Sequence, residues 1–201
     1  MRVSNSVSSH LFWVISRGAG TTALILSSAA VGVGLTMGGK LIKGRAADRR
    51  AYHEALALAA MVAIAVHGLA LLGDSYLHPS LVDITVPFVL SYKTLATSVG
   101  IVAGWGLICL GLSFYFRKRI GIRRWKTIHR FTALAWLAGL LHTFTAGPDR
   151  GQLWFIALIA VAATPTLTLL VWRLTAHRVH PPRPATSGMM QAVPSGATRS
   201  S

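Results

Sequence analysis

An all-α integral membrane protein of about five transmembrane helices is the fold class this sequence predicts, and three observations carry it. Only 12% of the 201 residues are charged while 53% are apolar, where an ordinary soluble domain is about 25% charged. The apolar residues fall into five runs close to the roughly 20 residues a helix needs to cross a bilayer. The basic residues collect between those runs. The net charge of +15 would suggest nucleic acid in a soluble chain; here it sets topology, and no nucleic-acid partner is expected.

Residues 1–15 form a short polar lead ending in an interfacial patch of Leu11, Phe12 and Trp13. Small residues at 27–30 offer a signal-peptidase site, but only Arg2 charges the n-region and the apolar run 18–37 is of spanning length, so it is read as a retained helix. The loop after it carries Lys40, Lys43, Arg45, Arg49 and Arg50 against Asp48. The second span is about 52–72. The long loop that follows contains Asp74, Asp83 and Lys93, and its middle, 81–90, is apolar but short and broken by Pro87, which makes it an interfacial or re-entrant piece. The third span is about 94–116. Residues 117–130 then hold seven basic residues and no acid. The fourth span is about 127–145 and the fifth about 153–172, with a kink expected at Pro165. Residues 16–172 thus form one membrane domain, and 173–201, rich in Pro, Ser, Thr and Arg, read as a disordered tail. The single cysteine, Cys109, lies in an apolar run; it allows no intrachain disulfide and says nothing about redox compartment.

The two basic loops and the tail hold 16 of the 20 Lys and Arg residues. The positive-inside rule puts them in the cytoplasm, the N-terminus outside and the C-terminus inside. Spans two and four then run in the same direction. Each carries two histidines: His53 and His67, 14 apart, and His129 and His142, 13 apart. At 1.5 Å rise these gaps are roughly 21 and 20 Å along the axis. The charge count therefore places His53 and His129 at one inner depth and His67 and His142 at one outer depth. Ionisable side chains inside a span are expensive and mark function.

Two imidazoles at one depth can ligate a metal axially. A bare zinc or copper site asks for three or four close ligands, and the roughly 20 Å between levels forbids one shared site. Two imidazoles per level in an apolar surround suit a haem, its iron taking one histidine on each side and leaving no open position. Two such haems form a transmembrane electron path. Arg50 and Lys126 each lie three residues before an inner histidine, one turn toward the cytoplasm, where they can pair with haem propionates or simply mark a helix end. Arg17 has the same two readings at the outer end of the first span. One angular feature is unresolved by sequence: a 14-residue step returns to within about 40° of the same helix face, a 13-residue step to about 140° away. Either the helices cross, or the haems lie on different sides of helix four, or that helix is distorted. His10, His78, His177 and His180 fall in polar segments and read as solvated. Cys109 and Met61 read as core residues, and Gly32, Gly34, Gly100, Gly104, Gly106 and Gly111 as close-packing positions.

Several motifs are familiar: SRGAG at 16–20, the His53/His67 pair, VPF at 86–88 with SY at 91–92, WKTIH at 125–129, and LLHTFTAGPD closing the second pair. In these the chain resembles the ferric reductase-like transmembrane domain family, the haem-binding membrane core of NADPH oxidases and metalloreductases, over roughly residues 11–175. The resemblance implies that His53 pairs with His129 and His67 with His142 on two b-type haems, and that the 13-residue step is tolerated. Family members usually continue into a flavin- and nicotinamide-binding region and many have six spans. Here about 29 residues follow the last span, with no G-x-G-x-x-G after a strand.

The expected function is that of a ferric reductase-like oxidoreductase membrane subunit in the bacterial plasma membrane. Electrons come from a separate flavoprotein reductase or membrane quinol, any flavin entering only through such a partner. The acceptor is a ferric chelate, oxygen or a periplasmic reductase. The last option resembles the haem subunit of the methionine sulfoxide reductase system. Two rival expectations are a non-enzymatic haem-containing assembly or sensor partner, and a transport protein whose histidines relay protons or bind metal.

Overall fold

The computed structural model describes residues 2–39, 45–74, 76–147 and 149–176; the expectations for Lys40, Lys43, His177, His180 and most of the tail lie outside the described residues. Among the described residues the fold is all-helical, in eight elements: α1 (Arg2–Gly39), α2 (Ala46–Leu71), α3 (Leu81–Thr85), α4 (Thr94–Leu112), α5 (Arg117–Ile120), α6 (Ile122–His129), α7 (Thr132–Ala146) and α8 (Leu153–Ala176). Four helical segments are long and apolar enough to cross a membrane: His10–Gly39, Ala46–Leu71, Thr94–Leu112 and Leu153–Ala176. In hydrocarbon each backbone N–H and C=O must be satisfied within the protein, and long unbroken helices do this. Large apolar side chains such as Val62, Leu95, Val102 and Val161 are exposed around the outside, as expected where the surrounding solvent is lipid.

The departures from the predicted spans have local causes. α1 runs without a break through the expected lead, so lead and first span are one helix. The third span stops at Leu112, where the backbone tightens to i→i−3 hydrogen bonds through Phe116. The predicted fourth span, 127–145, is two helices: Phe131 N–H bonds Ile128 C=O and Ala133 N–H bonds Arg130 C=O, interrupting the α-helical ladder between the histidines. α7 has only 15 residues, short of the roughly 20 that span a bilayer. Among the described residues, four helices of spanning length replace the expected five. α8 continues across Pro165. Gly121, at φ +90°, makes the corner between α5 and α6, a conformation that side chains with a Cβ resist.

α1 and α2 pair antiparallel, α4 pairs with α7, and α8 and α7 pack on α1. Leu24 and Val31 of α1, Trp136 and Leu140 of α7, and Phe155, Ile159 and Ala163 of α8 form the buried core. Its polar groups are paired: Trp136 Nε1–H donates to Ser28 Oγ at 3.0 Å, and Thr166 Oγ1–H donates to Ser28 C=O at 2.8 Å. Gly32, Gly104, Gly106 and Gly111 let helices approach closely, a Cβ at each meeting Thr166, Ile64, Ala135 or Met61 within 3.3 Å.

The 81–90 segment does not span. Ser80 and Asp83 form a reciprocal capping box on α3, and α4 receives the segment: Trp105 Nε1–H donates to Thr85 C=O and Phe88 N–H to Ser98 Oγ. The Ser80 backbone N–H and then its hydroxyl hold the Asp83 carboxyl below its usual range. A carboxylate with a lowered folded pKa stabilises above its unfolded pKa, and that contribution disappears as pH falls through the folded value. Amide exchange of α3 is therefore expected to speed up at acid pH, and Asp83→Asn to abolish that pH dependence.

Candidate functional site

The structure brings His53, His67, His129 and His142 together as two pairs. The His53 and His129 ring centroids lie 6.2 Å apart, with planes crossing at 85°. Those of His67 and His142 lie 6.4 Å apart, crossing at 68°. In every ring Nδ1 points to a backbone carbonyl of a neighbouring helix: His53 to Ala30 at 2.9 Å, His67 to Ser16 at 2.8 Å, His129 to Leu110 at 3.2 Å and His142 to Ala96 at 2.8 Å. A carbonyl only accepts, so each Nδ1 carries a proton, which in a neutral ring leaves Nε2 as the position with a lone pair. This is the orientation that supporting carbonyls give to metal-ligating histidines. Register explains the repetition. The acceptors on α1, Ser16 and Ala30, are 14 residues apart, as are His67 and His53 on the antiparallel α2. On α4 the acceptors Ala96 and Leu110 are also 14 apart, while His142 and His129 are 13 apart. The interruption at Arg130–Phe131 lies between His129 and His142, so the two are not on one straight helix, and of the three alternatives distortion is one that the structure displays.

Three of the carbonyls are followed four residues later by glycine, and the glycines make room for the rings. A Cβ on Gly20 would sit 2.9 Å from His67 Nδ1, one on Gly34 would sit 3.2 Å from His53 Cε1, and one on Gly100 would collide with the His142 ring. Gly34 and Gly100, expected as helix-packing positions, are thus histidine seats, and Gly20 is a third that the sequence reading missed.

Each pair lines a cavity. That of His67 and His142 has a volume of about 440 Å³ and that of His53 and His129 about 330 Å³, within the roughly 300–1,000 Å³ of small-molecule sites. Ser27, Ile64 and Leu107 line both and form the partition between them. Among the described residues no group of three or more His, Cys, Asp or Glu gathers for a metal ion, so a bare tetrahedral site is not built. The centroid separations of the two pairs are of the size two imidazoles sharing one metal ion would have. An imidazole nitrogen binds a first-row metal at about 2.0–2.1 Å, so two rings in line across one ion have centres about 6 Å apart.

The cations are arranged differently from expectation. Arg17 lines the larger cavity, but its guanidinium is ion-paired with Asp149 and lies 4.0 Å from the Trp13 ring. Arg50 and Lys126 are exposed and line neither cavity. Arg130 and Arg173 line the smaller one instead, Arg173 donating to Leu35 C=O at 3.2 Å. Arg130 lies within the interruption between α6 and α7, and Arg173 reaches in from α8. Met61 packs against Gly111, but Cys109 is exposed on the lipid-type surface rather than in the core. His10 and His78 are exposed. No protein family, curated protein or solved structure matches the chain.

Proposed function

We propose that this chain is a multi-pass protein of the bacterial plasma membrane that passes electrons singly across the bilayer through two bis-histidine b-type haem sites, as the membrane subunit of a ferric reductase-like oxidoreductase. The observation that carries this reading is one arrangement repeated at four histidines: Nδ1 against a backbone carbonyl of a neighbouring helix, and the ring paired with a second such ring at 6.2 or 6.4 Å between centroids. Haem bound there would supply a one-electron iron couple with no vacant coordination position. The residues do the rest. His53 and His129 hold one site, and His67 and His142 the other. The linings are largely apolar, with charged residues among them. Ser27, Ile64 and Leu107 keep the two sites separate but adjacent. By the positive-inside rule the His53/His129 site faces the cytoplasm, where a separate flavoprotein or quinol would donate. The His67/His142 site faces a ferric chelate, oxygen or a periplasmic reductase.

Arg130 and Arg173 are the cations this reading assigns to carboxylates at the inner site, in place of Arg50 and Lys126. Arg130→Gln or Arg173→Gln is expected to weaken haem retention there about tenfold, about 1.4 kcal/mol, while Arg50→Gln and Lys126→Gln leave it unchanged. The dimethyl ester of haem, which lacks the charged carboxylates, should show no such difference. An equal loss with both haems would contradict the assignment. The function itself is tested in sealed vesicles. A membrane-impermeant reductant on the Arg-rich side should reduce ferric chelate on the other side only when the protein is present, and failure of His53→Ala to stop the transfer would sink the electron path.

A further inference from the structure

His129 lacks both features that seat the other three rings. The residue four after its carbonyl acceptor Leu110 is Phe114, beyond the end of α4, where the others have glycine. It is also the last residue of α6, immediately before the interruption. A different set of contacts closes around it. Trp125, one turn earlier on α6, stacks on the His129 ring at 5.0 Å between centroids and 26° between planes. Trp125 Nε1–H donates to Ser113 Oγ at 3.1 Å, and Ser113 Oγ–H donates to Leu110 C=O at 2.6 Å. That carbonyl is the one that accepts His129 Nδ1–H. Phe114 packs edge-on against Trp125 at 5.9 Å, and the Arg117 guanidinium lies 3.8 Å from the Phe114 ring. The two contacts that orient His129, ring stacking and the carbonyl bond, are therefore joined through one serine hydroxyl.

We infer that Trp125, braced by Ser113, is the positioning residue for His129, holding its imidazole toward the His53 side where the other three histidines rely on a glycine seat. The inference rests on the haem reading of the two pairs. Its physical content is that the stacked indole restricts rotation of a ring at a helix end, where the backbone alone does not. With haem bound, His129 released from that restraint would be a weaker ligand, and the site would become open to carbon monoxide in the reduced state.

The test uses purified holoprotein carrying His67→Ala, so that only the His53/His129 site remains, and measures haem content and carbon monoxide binding after reduction with dithionite. Trp125→Ala on that background should raise the carbon monoxide-reactive fraction at least tenfold at unchanged haem content. Trp125→Phe, which keeps a stacking ring, should stay near the parent, and Ser113→Ala should fall between. Parent-level reactivity in Trp125→Ala would overturn the inference while leaving the haem reading intact. If Trp125→Ala does not fold, the comparison of Ser113→Ala with Trp125→Phe decides: reactivity equal to the parent in both would overturn it. A parent chain that holds no haem would overturn the reading and the inference together.

Discussion

Replacing His67 or His142 by alanine is expected to halve the haem content of the chain, from about two to about one per polypeptide, and to leave the His53/His129 site spectroscopically intact. His53→Ala should do the converse, and His53→Ala with His67→Ala should leave none. The expectation follows from separation. The two levels lie about 20 Å apart along α2 at 1.5 Å per residue, and each has its own cavity with its own histidine pair. No side chain of one pair belongs to the other, so removing one ligand acts on one site. Pyridine haemochromogen assay against protein concentration measures the effect. Loss of both haems from a correctly assembled single variant would mean the sites are one cooperative unit.

The second large effect belongs to a glycine. Gly100→Ala places a methyl group into the His142 ring, which the Ala96 carbonyl holds in position. Overpacking of a well-filled interior costs about 1–3 kcal/mol, which corresponds to roughly 5–150-fold in an equilibrium constant. Haem affinity of the His67/His142 site should fall by that factor. Gly20→Ala, with its Cβ at 2.9 Å from His67, should act on the same site less severely, and Gly34→Ala, at 3.2 Å from His53, should act mildly on the other. Gly18→Ala meets nothing within 4 Å and serves as the control. Competition of the apoproteins for limiting haem would rank the four. An order that ignores the distances would contradict the seat role and return these glycines to general helix packing.

Several features were legible in the chain because each depends on composition or on position along one helix. The all-helical membrane class followed from apolar run length, and the non-spanning nature of 81–90 from its length and Pro87. Matching His53 with His129 and His67 with His142 needed only a count of loop cations. The glycine seats were not read, although a signal was present: Gly20 and Gly34 are 14 residues apart, the same step as His53 to His67, and each lies four after a small residue. A period shared between two antiparallel helices becomes meaningful only once their register is known. The interruption at Arg130–Phe131 was invisible for another reason. No proline or glycine marks it, and it arises from tertiary demand, since a straight helix cannot aim His129 and His142 at partners 14 residues apart on both α2 and α4. That Arg130 and Arg173, rather than Arg50 and Lys126, line the inner cavity was not legible either, because i−3 proximity on an ideal helix does not tell which cations reach a cavity formed by several helices.

The most direct measurement is a haem count on detergent-purified wild-type protein produced with ample haem, combined with a reduced-minus-oxidised spectrum. The account predicts close to two b-type haems per chain, both low-spin and both unreactive toward carbon monoxide in the reduced state. Protein that folds, remains monodisperse and binds no haem would contradict it, and the two histidine pairs would then have to be explained as a proton or metal path.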